Sequence, residues 1–417
     1  MGIALKTDPV LIRRRHVLFV EGFDPQGAEG YYRIFQHARK RTDDIWQCQG
    51  KTGEPQFESE LIARWDVEAA GPNWKVATHY EFLRLEHIIR AEMGAPITRH
   101  VRRTLAWILD YLITGTTWRM LRAAWRFTLH VLYFEVVLLL WLALAAGLGW
   151  LVARTAARLF ALPAPVALAV GILTGIACVV MLRPVVHRLR AVQGNSCWAL
   201  LSSFARGREP RLDAVVEAGA ARLVAAARAG ETDEVVIIGH SWGASIAAAV
   251  VARALERDPD VGRRGPRIVL LTLGSIMAAA ALHPAAARLH SAIRRLAAEP
   301  SIRWLECQAR RDVLSCWMVD PVEASGIDLG GGRHNPLLWQ VRLRDLVSAE
   351  RYSRLRWKFL RVHYQFIMGN DRRAPYDYVM VTCGPIPVEE WAARGRDLVA
   401  AFASDGAYIP GSAYFSS

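Results

Sequence analysis

The sequence predicts an α/β fold with a mostly parallel sheet, helices on both faces of that sheet, and an inserted transmembrane helical hairpin. Short apolar runs such as EVVIIG and RIVLLTLGS alternate with helical patterns. Strands that are apolar along their whole length are typical of a parallel sheet that helices cover on both faces. Two longer apolar runs, 131–153 and 159–182, each reach the length of about 20 residues that a helix needs to cross a bilayer.

Residues 1–103 are predicted to form the first part of the α/β domain. HVLFVEGFD, His16–Asp24, has the pattern of a buried strand that continues into a loop containing glycine. WKVATHYEF, Trp74–Phe82, is a second predicted strand. The membrane segment follows, so this part of the sheet has to be completed by strands from later in the chain.

The composition limits the classes of partner. The 417-residue chain has a net charge of +13, which suits an anionic membrane surface or cytoplasmic loops. The sequence contains no RNA- or DNA-binding motif, so a nucleic acid partner is not expected. Its six cysteines include no CxxC pair and therefore predict neither a zinc site nor a disulfide framework. No metal or other cofactor is implied.

Residues 104–190 are predicted to be an inserted membrane segment. Only RTAAR separates the two apolar runs, so the runs should form a hairpin. The alternative is a buried helix pair in a soluble core, where runs with almost no polar face are rare. Arginines concentrate on the outer flanks, at 99–126 and 183–190, against two in the connector. The positive-inside rule then predicts an integral protein of the inner (plasma) membrane with its α/β domain on the cytoplasmic side.

Two features of this segment stay open. Glu135 lies inside the first apolar run, where exposure to lipid is costly, and no function is assigned to it. Residues 104–127 contain Trp107, Trp118 and Trp125 among arginines. That pattern fits an interfacial helix and an amphipathic core helix equally well.

Residues 191–417 are predicted to complete the α/β domain. Residues 212–229 have helical spacing and end at Gly230, EVVIIG is a strand, and residues 244–255 are helical. Arg267–Ser275 and Ile302–Ala309 are two further buried strands. We expect a single sheet built from two distant parts of the chain, with the hairpin leaving the sheet from one edge.

A serine stands where the strand EVVIIG turns into the alanine-rich helix. Gly239-His240-Ser241-Trp242-Gly243 fits G-x-S-x-G, in which the glycines allow a sharp strand-to-helix turn and the serine hydroxyl is exposed above the sheet edge. The amides at the start of the following helix point to the place where an oxyanion would form. At this motif the chain resembles the α/β-hydrolase superfamily, and its lipase and esterase group in particular.

The resemblance implies an acid and then a histidine downstream of Ser241. Asp312 directly follows the strand Ile302–Ala309 and is the preferred acid, and Asp320, which precedes a proline, is the alternative. His363, in a segment rich in aromatic residues, is preferred over His334 in GGGRHNP, because a catalytic base needs a fixed and partly dry position.

The resemblance also implies an oxyanion hole made of two backbone amides. One is the amide of Trp242, and the other is expected from Phe23 in EGFDPQG. Glu21 stands where the family often has histidine, and Asp24 would disfavour an anion unless its carboxylate is turned away.

The expected function is that of a membrane-anchored serine hydrolase that acts on ester substrates, lipid or acyl esters among them, through Ser241, His363 and Asp312. Two alternatives remain: a membrane-tethered α/β module that binds without catalysis, and an acyltransferase that uses the same triad. The sequence gives no oligomeric state.

Overall fold

A computed structural model describes residues 9–411. The chain forms two compact units. The described residues up to Arg90 and from Ser203 onward form the first, here called the sheet unit, and Ala91–Ser202 forms the second, here called the helical unit. The helical unit contains the predicted insertion 104–190 and extends beyond it at both ends.

The sheet unit contains one nine-stranded sheet in the order β2-β4-β5-β1-β6-β7-β8-β9, with β3 also paired to β4. The strands are β1 (Arg14–Val20), β2 (Gln49–Thr52), β3 (Gln56–Phe57), β4 (Ile62–Gly71), β5 (Trp74–Leu83), β6 (Glu234–His240), β7 (Arg267–Leu273), β8 (Ile302–Gln308) and β9 (Leu337–Gln340). In the part of the sheet ordered β5-β1-β6-β7-β8-β9, neighbouring strands are parallel. β4 pairs antiparallel with β2, β3 and β5.

The helices follow the same chain order. They are α1 (Gly27–Trp46), α2 (Glu86–Met93), α3 (Ile97–Ile113), α4 (Thr116–Leu159), α5 (Ala164–Arg188), α6 (Ala191–Ala205), α7 (Pro210–Ala229), α8 (Gly243–Arg257), α9 (Met277–Ala281), α10 (Ala287–Ala298), α11 (Pro321–Ala324), α12 (Leu343–Leu346), α13 (Ala349–Leu355), α14 (Phe359–Tyr364), α15 (Tyr378–Cys383) and α16 (Val388–Ala400).

The prediction of a mostly parallel α/β sheet is confirmed. All five predicted strands are present as β1, β5, β6, β7 and β8. Every residue of β6 is buried, and burial of each valine or isoleucine side chain stabilises the fold by about 1.5–3 kcal/mol. β2, β3, β4 and β9 were not predicted from the sequence. The first three make one end of the sheet antiparallel, because β4 and β5 join through the tight turn at Pro72 and Asn73.

The chain leaves the sheet from its interior, so the expected departure from one edge is wrong. The last strand before the helical unit is β5 and the first strand after it is β6, and these two strands flank β1 on either side. Both parts of the chain therefore contribute adjacent central strands to one sheet. Parallel strands need a long crossover connection, and the residues between β5 and β6 provide it.

The helical unit contains two helices that are long and apolar enough to cross a membrane, Thr116–Leu159 and Ala164–Val186. Only 22% and 17% of their most apolar windows are buried, which disfavours a buried core pair. RTAAR, which was predicted to connect the two helices, instead belongs to α4. It contains no glycine or proline that would end the helix. The helix ends at Leu159, and residues 160–163 make the turn.

Small residues bring α4 and α5 close together. A Cβ placed on Gly171 would lie 2.6 Å from the carbonyl oxygen of Gly149 and 2.7 Å from the Cβ of Ala153. Gly175, one turn further along α5, faces the carbonyl of Ala145. Close backbone approach at small residues four positions apart is typical of helix packing in membranes.

Glu135 lies on α4 and is only 4% exposed. Neither of its carboxylate oxygens has a hydrogen-bond partner among the described residues. Thr104–Phe127 is not one helix: α3 ends at Ile113, and α4 begins at Thr116 after Gly115, which has a φ of +68°.

Candidate active site

Ser241 stands at the turn between β6 and α8 in a conformation that is unusual for a residue with a side chain. Its φ is +57°, and a left-handed conformation costs roughly 1–2 kcal/mol for a residue other than glycine. The neighbouring glycines permit this turn, since a Cβ on Gly243 would lie 2.3 Å from the carbonyl oxygen of Glu21 and one on Gly239 would lie 2.5 Å from Cα of Ala244. Strain of this kind is concentrated at functional sites.

Asp312 and His363 form a buried hydrogen-bonded pair. His363 Nδ1 lies 2.7 Å from Asp312 Oδ2, and the two side chains are 5% and 0% exposed. Asp312 follows β8, and its other oxygen accepts the amide of Leu314 at 3.0 Å, which fixes the carboxylate. His363 lies on α14. With Nδ1–H donating to the carboxylate, Nε2 is the ring nitrogen that can accept a proton.

Ser241, His363 and Asp312 all lie next to the carboxyl end of β7. The Ser241 amide donates to the carbonyl of Leu273 at 2.8 Å. A Cβ on the next residue, Gly274, would lie 3.1 Å from both His363 Cε1 and Asp312 Oδ2. Gly274 has a φ of +54°, so glycine is favoured there both by conformation and by space.

Ser241 is half-buried. Within the described residues, no hydrogen bond joins Ser241 Oγ to His363. Catalytic hydrogen bonds are often long in unliganded sites and tighten when the substrate binds. The contacts at Leu273 and Gly274 bring Ser241, Asp312 and His363 into one neighbourhood.

His240 supports the ring of His363, and sequence reasoning did not assign it a role. The two ring centroids are 4.8 Å apart, and His240 Nε2 lies 3.4 Å from the backbone carbonyl of His363. Burial lowers the pKa of His240 well below its ordinary value of 6.5, and the facing His363 lowers it further. The neutral form of His240 is thus favoured. Its position inside GHSWG was the available signal.

The two expected oxyanion donors lie on neighbouring segments. The rings of Phe23 and Trp242 are in edge-to-face contact, with centroids 5.8 Å apart. A Cβ on Gly22 would lie 3.4 Å from the Cβ of Ser241. Trp242 precedes the first turn of α8, where backbone amides have no partner within the helix.

The carboxylate of Asp24, which could repel a developing oxyanion, accepts several hydrogen bonds. The donors are the backbone amide of Gln26 at 2.9 Å, the side chain of Gln26 at 3.1 Å, and the hydroxyl of Tyr364. Tyr364 follows His363 directly, so this contact joins the loop after β1 to α14. Sequence reasoning missed Tyr364, although its place beside His363 was visible.

Glu21, the first residue of the same loop, is fully buried. One of its oxygens accepts the amide of Leu85 at 2.8 Å. The other oxygen and one oxygen of the buried Glu86 accept no hydrogen bond from the remaining described residues, and the two carboxyl groups can bond to each other only when one of them is protonated. Burial, followed by the charge of Glu86, raises the pKa of Glu21 well above 4.5. These effects favour the neutral acid at this position.

The structure places the alternative residues elsewhere. Asp320 caps α11, accepting the amide of Val322 at 2.8 Å, and it also pairs with Arg333. His334 is exposed in the loop before β9, and β9 runs parallel to β8, so this histidine lies at the amino ends of the strands. Asp312 and His363 lie at the carboxyl ends.

Comparisons of the chain with models of protein families, with curated proteins and with solved structures found no match. Among residues 9–411, no group of three or more His, Cys, Asp or Glu side chains is placed to hold a metal ion.

Proposed function

We propose that the chain is a membrane-anchored serine hydrolase that cleaves ester substrates with Ser241, His363 and Asp312. The observation that supports it most is the buried His363–Asp312 pair, 2.7 Å between Nδ1 and Oδ2, beside a serine with a φ of +57°. A nucleophile, a base and an orienting carboxylate on three separate elements is the arrangement that serine catalysis requires.

Each of these side chains has a distinct task. His363 Nε2 takes the hydroxyl proton as Ser241 Oγ attacks the ester carbonyl carbon, and the acyl–serine bond forms. Asp312 stabilises the imidazolium through Nδ1–H. The imidazolium then protonates the departing alkoxide, which leaves as an alcohol. Water repeats the sequence, with His363 as base, and releases the acid.

The negative charge that develops on the carbonyl oxygen needs donors that are already in place. The amides of Trp242 and Phe23 are proposed to supply them. The favoured neutral form of Glu21 and the donors around Asp24 reduce the negative charge that would oppose an oxyanion there. His240, whose pKa is lowered, adds no positive charge to compete with the imidazolium for Asp312.

The membrane anchor is proposed to be the α4–α5 hairpin. Two crossings return the chain to the side from which it started, so both parts of the sheet unit share one compartment. By the positive-inside rule, the arginine-rich flanks favour the cytoplasm as that compartment and the inner (plasma) membrane as the proposed place of the anchor. A site held at a membrane favours lipid or acyl esters as substrates.

An activity-based probe tests the proposal. The purified chain in detergent is treated with a fluorophosphonate, and the labelled peptide is identified. We expect labelling of Ser241 that is lost in Ser241→Ala and retained in Ser245→Ala, since Ser245 lies in the first turn of α8 and is fully buried. Labelling that survives in Ser241→Ala would overturn the assignment. Product analysis with an added alcohol then separates hydrolysis from acyl transfer.

A further inference from the structure

The segment that leads into His363 exposes large apolar side chains. Residues 354–361, RLRWKFLR, are here called the basic rim. Within it, Trp357 is 66% exposed, Phe359 41% and Leu360 36%. Every other exposed tryptophan among the described residues lies in the helical unit. Exposed aromatic and aliphatic side chains next to each other mark an interaction surface.

The same segment contains four basic residues and no acidic one. Lys358 and Arg361 have no ion-pair partner among the described residues. The guanidinium groups of Arg356 and Arg311 lie over the ring of Trp357, 5.6 and 5.0 Å from its centroid, so positive charge surrounds the exposed indole. Arg311 directly precedes Asp312, which extends this surface to the loop after β8.

An open cavity of about 480 Å³ adjoins the basic rim. Five cationic side chains line it, with Asp371 as its single carboxylate: Arg41, Arg351, Arg354, Lys358 and Arg361. Asp371 is already paired with Arg41 and Arg351. The cavity thus has an excess of positive charge and room for a phosphate group.

We propose that the basic rim binds the surface of an anionic lipid bilayer, with Trp357 and Phe359 among the headgroups and Lys358 and Arg361 at lipid phosphates. Tryptophan next to arginine and lysine is favoured at membrane interfaces. A soluble acidic partner would not by itself account for the exposed Trp357, Phe359 and Leu360. The chain also carries two helices long enough to cross a membrane, so we favour a bilayer as the occupant of this surface.

The consequence concerns access to His363. Phe359, Leu360 and Arg361 lie on the same short helix, α14, as His363. Binding of the rim to lipid would bring this helix to the membrane surface. The further conclusion that the ester substrate comes from that surface rests on the proposed hydrolase function, whereas lipid binding by the rim does not.

A fluorescence assay on the full chain tests the proposal. The chain carries Ser241→Ala, so that the result is independent of catalysis. An environment-sensitive dye is attached at Ser353→Cys, an exposed position next to the rim. The protein is placed in nanodiscs of phosphatidylcholine alone or with added phosphatidylglycerol, and the chain without the new cysteine is labelled in parallel as the blank.

We expect a blue shift of the dye that requires phosphatidylglycerol and weakens with salt. Since each basic residue near an anionic surface contributes about fivefold to binding, Lys358→Gln with Arg361→Gln should reduce the bound-to-free ratio about 30-fold. The matched control is Arg264→Gln with Arg267→Gln, which replaces two exposed arginines at the amino end of β7. It should leave the bound-to-free ratio unchanged.

Three results would overturn the proposal. The first is an equal shift in discs with and without phosphatidylglycerol, and the second is an equal loss in both double variants. The third is a shift that requires an added acidic protein or RNA in place of lipid.

Discussion

The substitution Asp312→Asn tests the role of the carboxylate that contacts His363. Asparagine can still accept the amide of Leu314, so the loop should keep its shape. The change removes the charge 2.7 Å from His363 Nδ1. At an effective dielectric constant of about 20, the attraction between carboxylate and imidazolium at that distance is about 6 kcal/mol. A loss of that size corresponds to about four orders of magnitude in rate, comparable to the loss of about 10,000-fold known for this change in a serine protease triad.

The assay is hydrolysis of p-nitrophenyl butyrate by the purified chain in detergent, with kcat measured for each variant. Asp320→Asn is the matched control, because Asp320 caps α11 and pairs with Arg333. Asparagine caps a helix as well as aspartate does, so only the partly exposed ion pair is lost; the free energy of unfolding should fall by at most about 1 kcal/mol and kcat should stay within a factor of about three. If Asp312→Asn kept kcat within tenfold of the unsubstituted chain, or if Asp320→Asn caused the large loss, the assignment of the acid would be wrong.

Three further substitutions follow from the same contacts. In Gly274→Ala the new Cβ would lie 3.1 Å from His363 Cε1, so ester turnover should fall. The control is Gly326→Ala, at a residue with a φ of +64° and no atom within 4 Å of the new Cβ, which should leave turnover unchanged. Equal losses in the two variants would refute the role of Gly274. The raised pKa of Glu21 makes the folded chain retain a proton that the unfolded chain releases above about pH 4.5, so the unfolding free energy of the unsubstituted chain should fall as the pH rises, by about 1.4 kcal/mol per pKa unit. In Glu21→Gln this fall should be absent. Chemical denaturation across that pH range measures both chains, and parallel curves would contradict the prediction. In Gly171→Leu the side chain would separate α4 from α5 and lower the melting temperature in detergent, whereas Gly147→Leu, with nothing within 4 Å, should not; equal melting temperatures would refute the close packing.

The central strands were predictable because their residues are buried on both sides. A run such as EVVIIG is apolar at almost every position. All of its side chains can be buried only in a strand that has a neighbouring strand on each side and helices on both faces. β4 was missed because polar residues interrupt its apolar positions. Within its sequence, IARWDVEAAG, residues 65–69 alternate between buried and exposed positions, and that period of two was the available signal.

The partnership of Asp312 with His363 was expected from the resemblance at the GHSWG motif, and the structure brings the two side chains together. The supporting contacts could not be read from the sequence. His240, Gly274 and the pair Glu21 and Glu86 depend on which strand ends become neighbours, and that follows from the strand order, in which β1 lies between β5 and β6. The sequence places β1 and β6 more than two hundred residues apart.

The most direct test of the proposed chemistry is to locate the acyl group on the chain. The protein is mixed briefly with a p-nitrophenyl ester, quenched in acid and digested, and the acylated peptide is sequenced by mass spectrometry. We predict one acyl group, on Ser241, that accumulates with a burst of p-nitrophenol and is absent from His363→Ala within the same time. An acyl group on another residue, or a burst that persists in Ser241→Ala, would contradict the proposed nucleophile.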